Sequence, residues 1–445
     1  MSQTLGTHAI VVGAGMGGLA AAAALSPFFT KVTVLDKDSL PDGAEARLGA
    51  GQSAHAHQLL KGGELALEGL LPGFRDALLA AGAVELQAGS EAVNVDPGGE
   101  LPPCDVGFTV TCLSRPAYEM TLRSCVAALG NIELRGDTPV ERVMIENGRA
   151  VGVDLGGGDV LAGELIIDAS GMNAPLAGQL IAEGEAEFET EAVKINVAYT
   201  TQRFARSPAY AGERLGFFLR PGGANARFGF LLPIENNQWI VSLGARGASA
   251  VPRDLDGFLD CARQVGHAGV IDRLGEAEAV GEAKTFRKTY ATRRRFGAAA
   301  KWPDRLIPIG DAMTSFNPTF GQGMSVAACQ AAAFASILAE RAAKGDGLDG
   351  LGGAYFPLAE GIAGGAWTLA INVDYQYPET EGERPANFAQ ISAFGQAFRY
   401  LAATDEEMSI LRLRIGHMLE SPAKLRESPH AEKLAAAMKA VSQPA

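Results

Sequence analysis

Three groups of residues in this 445-residue chain have types and spacings that could do chemistry. The first is Gly13, Gly15 and Gly18 in "HAIVVGAGMGGLAAAAAL", a G-x-G-x-x-G run between an apolar stretch and an alanine-rich one. The first glycine of such a run permits a tight turn. The second lets backbone approach a pyrophosphate, and the third lets a helix pack on a strand. Free N–H groups and the positive dipole end of the following helix would face the anion. "KVTVLDKD" then reads as a strand ending in Asp36, 18 residues past Gly18, near the spacing at which a carboxylate accepts from a ribose hydroxyl. An acid at that position argues against NADP in this site and leaves FAD and NAD open.

The second group lies about 300 residues later, in "RLIPIGDAMTSFNPTFGQGMSVAACQAAAFASILAE", Arg305 to Glu340. It again reads strand, loop, helix, with Asp311 after the strand, Pro318, Gly321 and Gly323 in the loop, and a helix from about Met324 through Ala339. Alone it would be an ordinary strand–turn–helix. A plain NAD dehydrogenase has no use for a second glycine-rich helix start, but a flavin does. Asp311 could accept from ribityl hydroxyls, and a helix N-terminus could bring donors to the pyrimidine edge that becomes anionic on reduction. Pro318 would stiffen the loop beside the rings. Together the two groups indicate FAD.

The third group is His55 and His57 in "GQSAHAHQLLKGG", two of only six histidines. A metal site is not expected, because no companion ligands have suitable spacing. A structural histidine capping the "HQLLKGGELALEGLL" helix and a histidine on the cofactor wall both remain open.

The elements that must position these groups belong to a folded, soluble chain, 47% hydrophobic and 20% charged. A net charge of −13 excludes a nucleic-acid partner, and "TRRRF" (292–296) reads as a short solvated or structural patch. Five cysteines without a C-x-x-C pair suggest reduced, mostly buried thiols and a cytoplasmic location. No export signal is read, and glycines interrupt the apolar stretch His8–Leu25, so no membrane span is expected there.

The paired motifs resemble those of the FAD-dependent monooxygenases of the para-hydroxybenzoate hydroxylase-like superfamily, and the resemblance covers most of the chain. "LSRPAYEMTLRS" resembles the family's strand-end arginine followed by a helix, which implies that Arg115 contacts the flavin ribityl or ring region. "LIIDASGMNAP", "RFGFLLPIENNQWIVSLGA" and "NVDYQYPETEGERP" resemble later family segments. "RLGAGQSAHAHQLLKGG" and "DASG" are most similar to bacterial epoxidases that act on polyether precursors, and imply that Arg47, Gln52, His55 and His57 lie along the FAD and active-site wall. Ala54 stands where that subset would have a basic residue, and Asp168-Ala-Ser-Gly171 replaces the D-G motif of aromatic hydroxylases.

The expected fold is α/β: a Rossmann-like FAD-binding domain (1–81, 111–185 and 285–343), an inserted antiparallel β substrate domain (82–110 and 186–284), and C-terminal helices (344–445). The resemblance implies a monooxygenase. NAD(P)H reduces the FAD, directly or through a flavin reductase. A flavin C4a-hydroperoxide formed with O2 then passes one oxygen to a hydrophobic alkene, giving an epoxide, or to an aromatic ring. No side-chain nucleophile is required, so no catalytic residue is assigned. An FAD-dependent reductase of isoprenoid-type double bonds is the alternative. The W-x-W-x-I-P signature of flavin halogenases does not occur.

Overall fold

The computed structural model describes residues 4–441 except 48, 50, 221–226, 247–250 and 276. The apolar run at the N-terminus forms the strand Gly6–Val12, the middle strand of a five-stranded parallel sheet. Across the sheet the order is Leu306–Pro308, Leu165–Asp168, Gly6–Val12, Phe29–Leu35, Ile132–Arg135. Ala9, Ile10 and Val11 are fully buried, as a parallel strand covered on both faces requires.

This order joins the two motifs. Only Leu165–Asp168 separates the strand before Gly13 from the strand before Asp311, and the register pairs Val12 with Asp168 and Asp168 with Pro308. Three strands from distant parts of the chain therefore end level, and their following turns share the carboxyl edge of the sheet. In open α/β sheets that edge is where ligands bind.

The helices that follow the motifs, Met16–Leu25 and Gly323–Lys344, pack on each other. Alanines 20–24 are at most 3% exposed, and a Cβ on Gly17 would sit 3.4 Å from the Ala327 Cβ, so small side chains set the close approach. The second helix runs five residues beyond the expected Ala339. Its end is set at Gly345, whose φ of +74° suits glycine. By length and composition it is the one helix among the described residues that could cross a membrane. However, 56% of its most apolar window is buried in the fold, as in a core helix.

The other large sheet has eight strands and is antiparallel apart from one pair, Gly216–Leu219 beside Ala92–Asp96. Its long strands are Thr190–Ala205 and Glu278–Arg294, the latter running across position 285. Alternate residues Val193, Ile195, Val197 and Tyr199 pack with Phe316, Trp367 and Ile371, which joins the sheet to the second motif's loop and to the C-terminal helices. The edge strand Thr314–Ser315 comes from that loop and pairs with Thr292 and Arg293. Helices Leu351–Asp374, Phe388–Thr404, Glu406–Gly416 and His430–Val441 follow, interrupted at the proline-containing segments 377–385 and 420–429.

Candidate functional site

The site begins at the turn after Val12. Gly13 has φ +104°, and a Cβ there would lie 2.3 Å from the Ala169 carbonyl oxygen. A Cβ on Gly18 would lie 1.8 Å from the Gly13 oxygen. Both glycines are required by the protein itself. Gly15 is different: its φ of −76° suits any residue, and an added Cβ would meet only an Arg47 nitrogen, at 3.9 Å. The space in front of Gly15 is therefore left open by the fold.

Asp36 ends the second strand as expected. Its carboxylate accepts from the backbone N–H groups of Ala14 (2.6 Å) and Asp38 (2.9 Å). Arg47 reaches it at 2.9 Å and also pairs with Glu119 at 2.6 Å. Arg47 thus stands at the Gly13–Gly18 turn. Glu119, which sequence reasoning missed, also accepts from Arg115 at 3.5 Å and so links this end of the site to the next. Gln52 is partly buried, and its carbonyl accepts from the His55 N–H. Among the described residues no hydrogen bond ties its side chain to either motif.

Ser114 caps the helix Arg115–Ala127, which places Arg115 at the first helical position. Its Nε is buried and has no partner among the described residues. Arg115 is close enough to Asp311 to favour that carboxylate's charge. Burial nevertheless dominates and raises the Asp311 pKa, with Lys288, Arg115 and Arg294 opposing. Arg294 belongs to the "TRRRF" patch. It donates to the carbonyls of Ala312 (3.0 Å) and Met172 (3.0 Å), a structural role at the rim of the site. Asp168 has one oxygen bonded to Ser170 and the other buried without a partner. Burial raises its pKa as well.

The loop after Asp311 is held from inside. Asn317 is fully buried. Its Oδ1 accepts from the Thr319 N–H at 3.0 Å, and its Nδ2 donates to Asp374 at 2.7 Å. Asp374 forms an ion pair with Arg246, whose guanidinium lies 4.5 Å from the Tyr377 ring. Pro318 and Gly321 (φ +65°) then shape the turn, and the helix starts at Gly323. Gln322, just before it, buries its Oε1 with no partner among the described residues; Gln58, in the neighbouring segment, does the same with its Nε2.

The histidines have separate roles. His55 is buried and its Nδ1 lies 2.7 Å from Thr201 Oγ1, which contacts Ser242 Oγ at 2.5 Å. Its ring stands edge-on to Tyr199 at 4.8 Å. Burial lowers its pKa to about 4, so it is a neutral tie between this segment and the antiparallel sheet. His57 donates from Nδ1 to the His55 carbonyl at 2.9 Å. Burial, then the nearby Arg115 charge, lowers its pKa to about 3, which leaves Nε2 as an acceptor. Neither histidine caps the helix. That helix starts at Lys61, and the histidine at its start is His417, whose Nδ1 accepts from the Lys61 N–H at 3.3 Å.

His57, Gln58 and residues 318–322 line one side of a cavity of about 600 Å³. Phe218, Phe228 and Phe230 of the antiparallel sheet and Phe394 and Phe398 of the C-terminal helices are among the residues that line the rest. The described residues contain no group of three or more His, Cys, Asp or Glu side chains placed to hold a metal.

Known structures share this fold over nearly the full chain. A flavoprotein/dehydrogenase from Cytophaga hutchinsonii superposes with a TM-score of 0.67 at 15% identity, covering 98% of this chain and 100% of that one. The flavin-dependent brominase Bmp2 gives 0.65 at 16% identity, covering 98% and 99%. The tetrameric form of 2-methyl-3-hydroxypyridine-5-carboxylic acid oxygenase gives 0.62 at 18%, covering 91% and 97%. The chain has a flavoprotein fold. In sequence it is 29% identical over 361 residues to protein Rv3254 of Mycobacterium tuberculosis, 76% of this chain and 75% of that protein. No protein-family model matches. Within the flavoprotein fold, the level strand ends and the Asn317-held loop lie on the edge where the sequence placed Asp36 and Asp311.

Proposed function

We propose that the chain binds FAD non-covalently and inserts one oxygen atom from O2 into a hydrophobic substrate. The observation that carries this reading is a set of unsatisfied buried groups where the sequence motifs point. The open face of Gly15, the buried Nε of Arg115, Oε1 of Gln322 and Nε2 of Gln58 each lack a partner among the described residues. Orphaned buried polar groups are costly, so a ligand with matching donors and acceptors is expected. A flavin dinucleotide fits. Its pyrophosphate suits the Gly15 turn and the helix starting at Met16, and the polar edge of its pyrimidine offers a donor and acceptors to Gln322 and Gln58. Asp36 and Arg47 would serve the adenosine end, and Asp311 and Arg115 the ribityl region.

The chemistry such a cofactor supplies, once reduced by NAD(P)H directly or through a flavin reductase, is activation of O2 and delivery of one oxygen atom. The protein's own part is positional. Pro318 and Gly321 shape the loop that would stand beside a bound ring system. The N-terminus of the helix at Gly323 and the guanidinium of Arg115 would offset negative charge on a reduced flavin. The aromatic side chains of the cavity would help to exclude water, and Nε2 of His57 would accept a hydrogen bond from a substrate hydroxyl. Epoxidation of an alkene is the preferred reaction, because the 47–63 and 168–171 segments resemble epoxidases and aromatic and aliphatic side chains line part of the cavity; hydroxylation of an arene comes next. Heat denaturation tests the cofactor: it should release FAD at about one per chain. A protein that cannot be reconstituted with FAD, or that retains only NAD, would contradict the reading.

A further inference from the structure

The cavity wall is unbalanced in charge. Among the described residues five arginines line it, Arg220, Arg227, Arg246, Arg399 and Arg412, against one acid, Asp96. Asp374, behind the wall, neutralises Arg246. Asp96 is shared, accepting from Arg220 at 3.4 Å and pairing with Arg412. Arg399 has no carboxylate partner among the described residues and donates to the amide oxygen of Gln376 at 3.1 Å. Among the described residues the one side-chain hydrogen bond of Arg227 goes to the Cys261 sulfur, at 3.4 Å. The chain as a whole carries −13, so this cationic wall is a local arrangement.

Three of these arginines stand on elements that pack together at one end of the cavity. Arg220 and Arg412 meet at Asp96. Two residues on, Gly98 is packed so tightly on helix Phe388–Thr404 that a Cβ would lie 2.5 Å from the Arg399 carbonyl oxygen. Around them are aromatic side chains: the Arg220 guanidinium lies 5.9 Å from the Phe230 ring, and Phe394 and Phe398 line the same wall. Arg412 buries its Nε without a partner. Guanidinium groups half out of water with too few counter-charges are unfavourable, and a planar anion that accepts two parallel N–H bonds relieves them best.

We infer that the substrate is a hydrophobic molecule carrying a carboxylate, and that Arg399, Arg412 and Arg220 hold that carboxylate at the end of the cavity walled by helices Phe388–Thr404 and Glu406–Gly416. The inference depends on the oxygenase reading only for what becomes of the bound molecule; the anion subsite stands on the cavity itself. The aromatic lining beside the arginines favours a carboxylate on an apolar body over the phosphates of a nicotinamide nucleotide.

The test is direct binding, without turnover, to the purified protein carrying the flavin it retains. Dodecanoate and dodecan-1-ol share a tail and differ in the head group, and titration calorimetry reads both. Dodecanoate should bind about tenfold or more tightly than the alcohol, the value of one charge-assisted hydrogen-bond pair. Arg399→Met should remove most of that preference and leave alcohol binding unchanged. This substitution strands no carboxylate among the described residues, where the hydrogen-bond partner of Arg399 is the Gln376 amide. Arg220→Met, in which Asp96 keeps Arg412, carries the same expectation should the first variant fold poorly. Equal binding of acid and alcohol, or a preference that survives both substitutions, would overturn the inference. So would a loss of NADPH binding in Arg399→Met with dodecanoate affinity intact, which would assign the arginines to nucleotide phosphates. Flavin content, read by absorbance on the same samples, reports separately on the cofactor reading.

Discussion

Gly15 and Gly18 stand three residues apart in one motif, yet the structure predicts opposite consequences for replacing them by alanine. At Gly18 the new Cβ would overlap the Gly13 carbonyl oxygen at 1.8 Å and crowd the Ala169 Cβ at 3.3 Å. Neither neighbour can move without shifting the helix off the sheet, so Gly18→Ala should cost at least ~2 kcal/mol of stability, in the usual range for overpacking. At Gly15 two small terms oppose each other. Alanine caps a helix less well than glycine, by up to ~1 kcal/mol, but restricting the unfolded chain returns about 0.4–1 kcal/mol. The flavin-free Gly15→Ala protein should therefore match the parent within ~0.5 kcal/mol. Its FAD affinity should fall about 10- to 100-fold, because the Cβ would separate the ligand from one or more charge-assisted N–H contacts worth ~1.5–3 kcal/mol each. Urea denaturation of the flavin-free proteins gives the first quantity, and flavin fluorescence quenching on titration gives the second. Unchanged FAD affinity in Gly15→Ala, or a stability loss equal to that of Gly18→Ala, would refute the assignment of the open space to the cofactor.

Arg246→Met should destabilise the protein by ~3–5 kcal/mol, because it leaves the buried Asp374 carboxylate without its counter-charge, whereas Asn317→Ala should cost only ~1–3 kcal/mol; urea midpoints distinguish them. His55→Phe should lower stability by ~1–3 kcal/mol by stranding the Thr201–Ser242 hydroxyl pair, whereas His57→Phe should leave stability nearly unchanged and raise KM for a hydroxylated substrate. Stability should also fall with acid. Burial holds His55 and His417 at about 4 and, with Arg115, His57 at about 3, against 6.5 unfolded. The unfolded chain then binds more protons below pH 6.5, so stability is full above that value and is lost as pH falls toward 4. In denaturant titrations across this range, the slope should become shallower in His55→Gln.

What was legible in the sequence was what local sterics dictate. Gly13 and Gly18 are forced by contacts inside one turn and with its neighbouring strand, and Asp36 ends a strand that its own composition specifies. The second motif was legible for the same reason. What joins the pieces was not, because it lies in pairs set only by the tertiary fold. Arg47–Glu119 spans 72 positions, Asn317–Asp374 spans 57, Arg246–Asp374 spans 128, and Lys61–His417 spans 356. Asp374 sat in "NVDYQYP", a segment distinctive in the sequence, but nothing local tells that its carboxylate points at Asn317. The histidines were ambiguous because the apolar period of "HQLLKGGELALEGLL" allows a helix start at His57. The chain enters the helix only at Lys61, after Leu60 has donated its N–H to Ser325. The arginine cluster at Asp96 was invisible for a further reason: its members come from three parts of the chain that each look like ordinary surface.

The oxygenase reading is tested most directly with isotopically labelled O2, NAD(P)H and a panel of hydrophobic alkenes and arenes, including carboxylate-bearing ones. The account predicts one labelled oxygen atom in the product, as an epoxide or a hydroxyl, with uptake of one O2 per product. Unlabelled product in which a double bond has been saturated without oxygen, or peroxide in place of product with every compound tried, would contradict it.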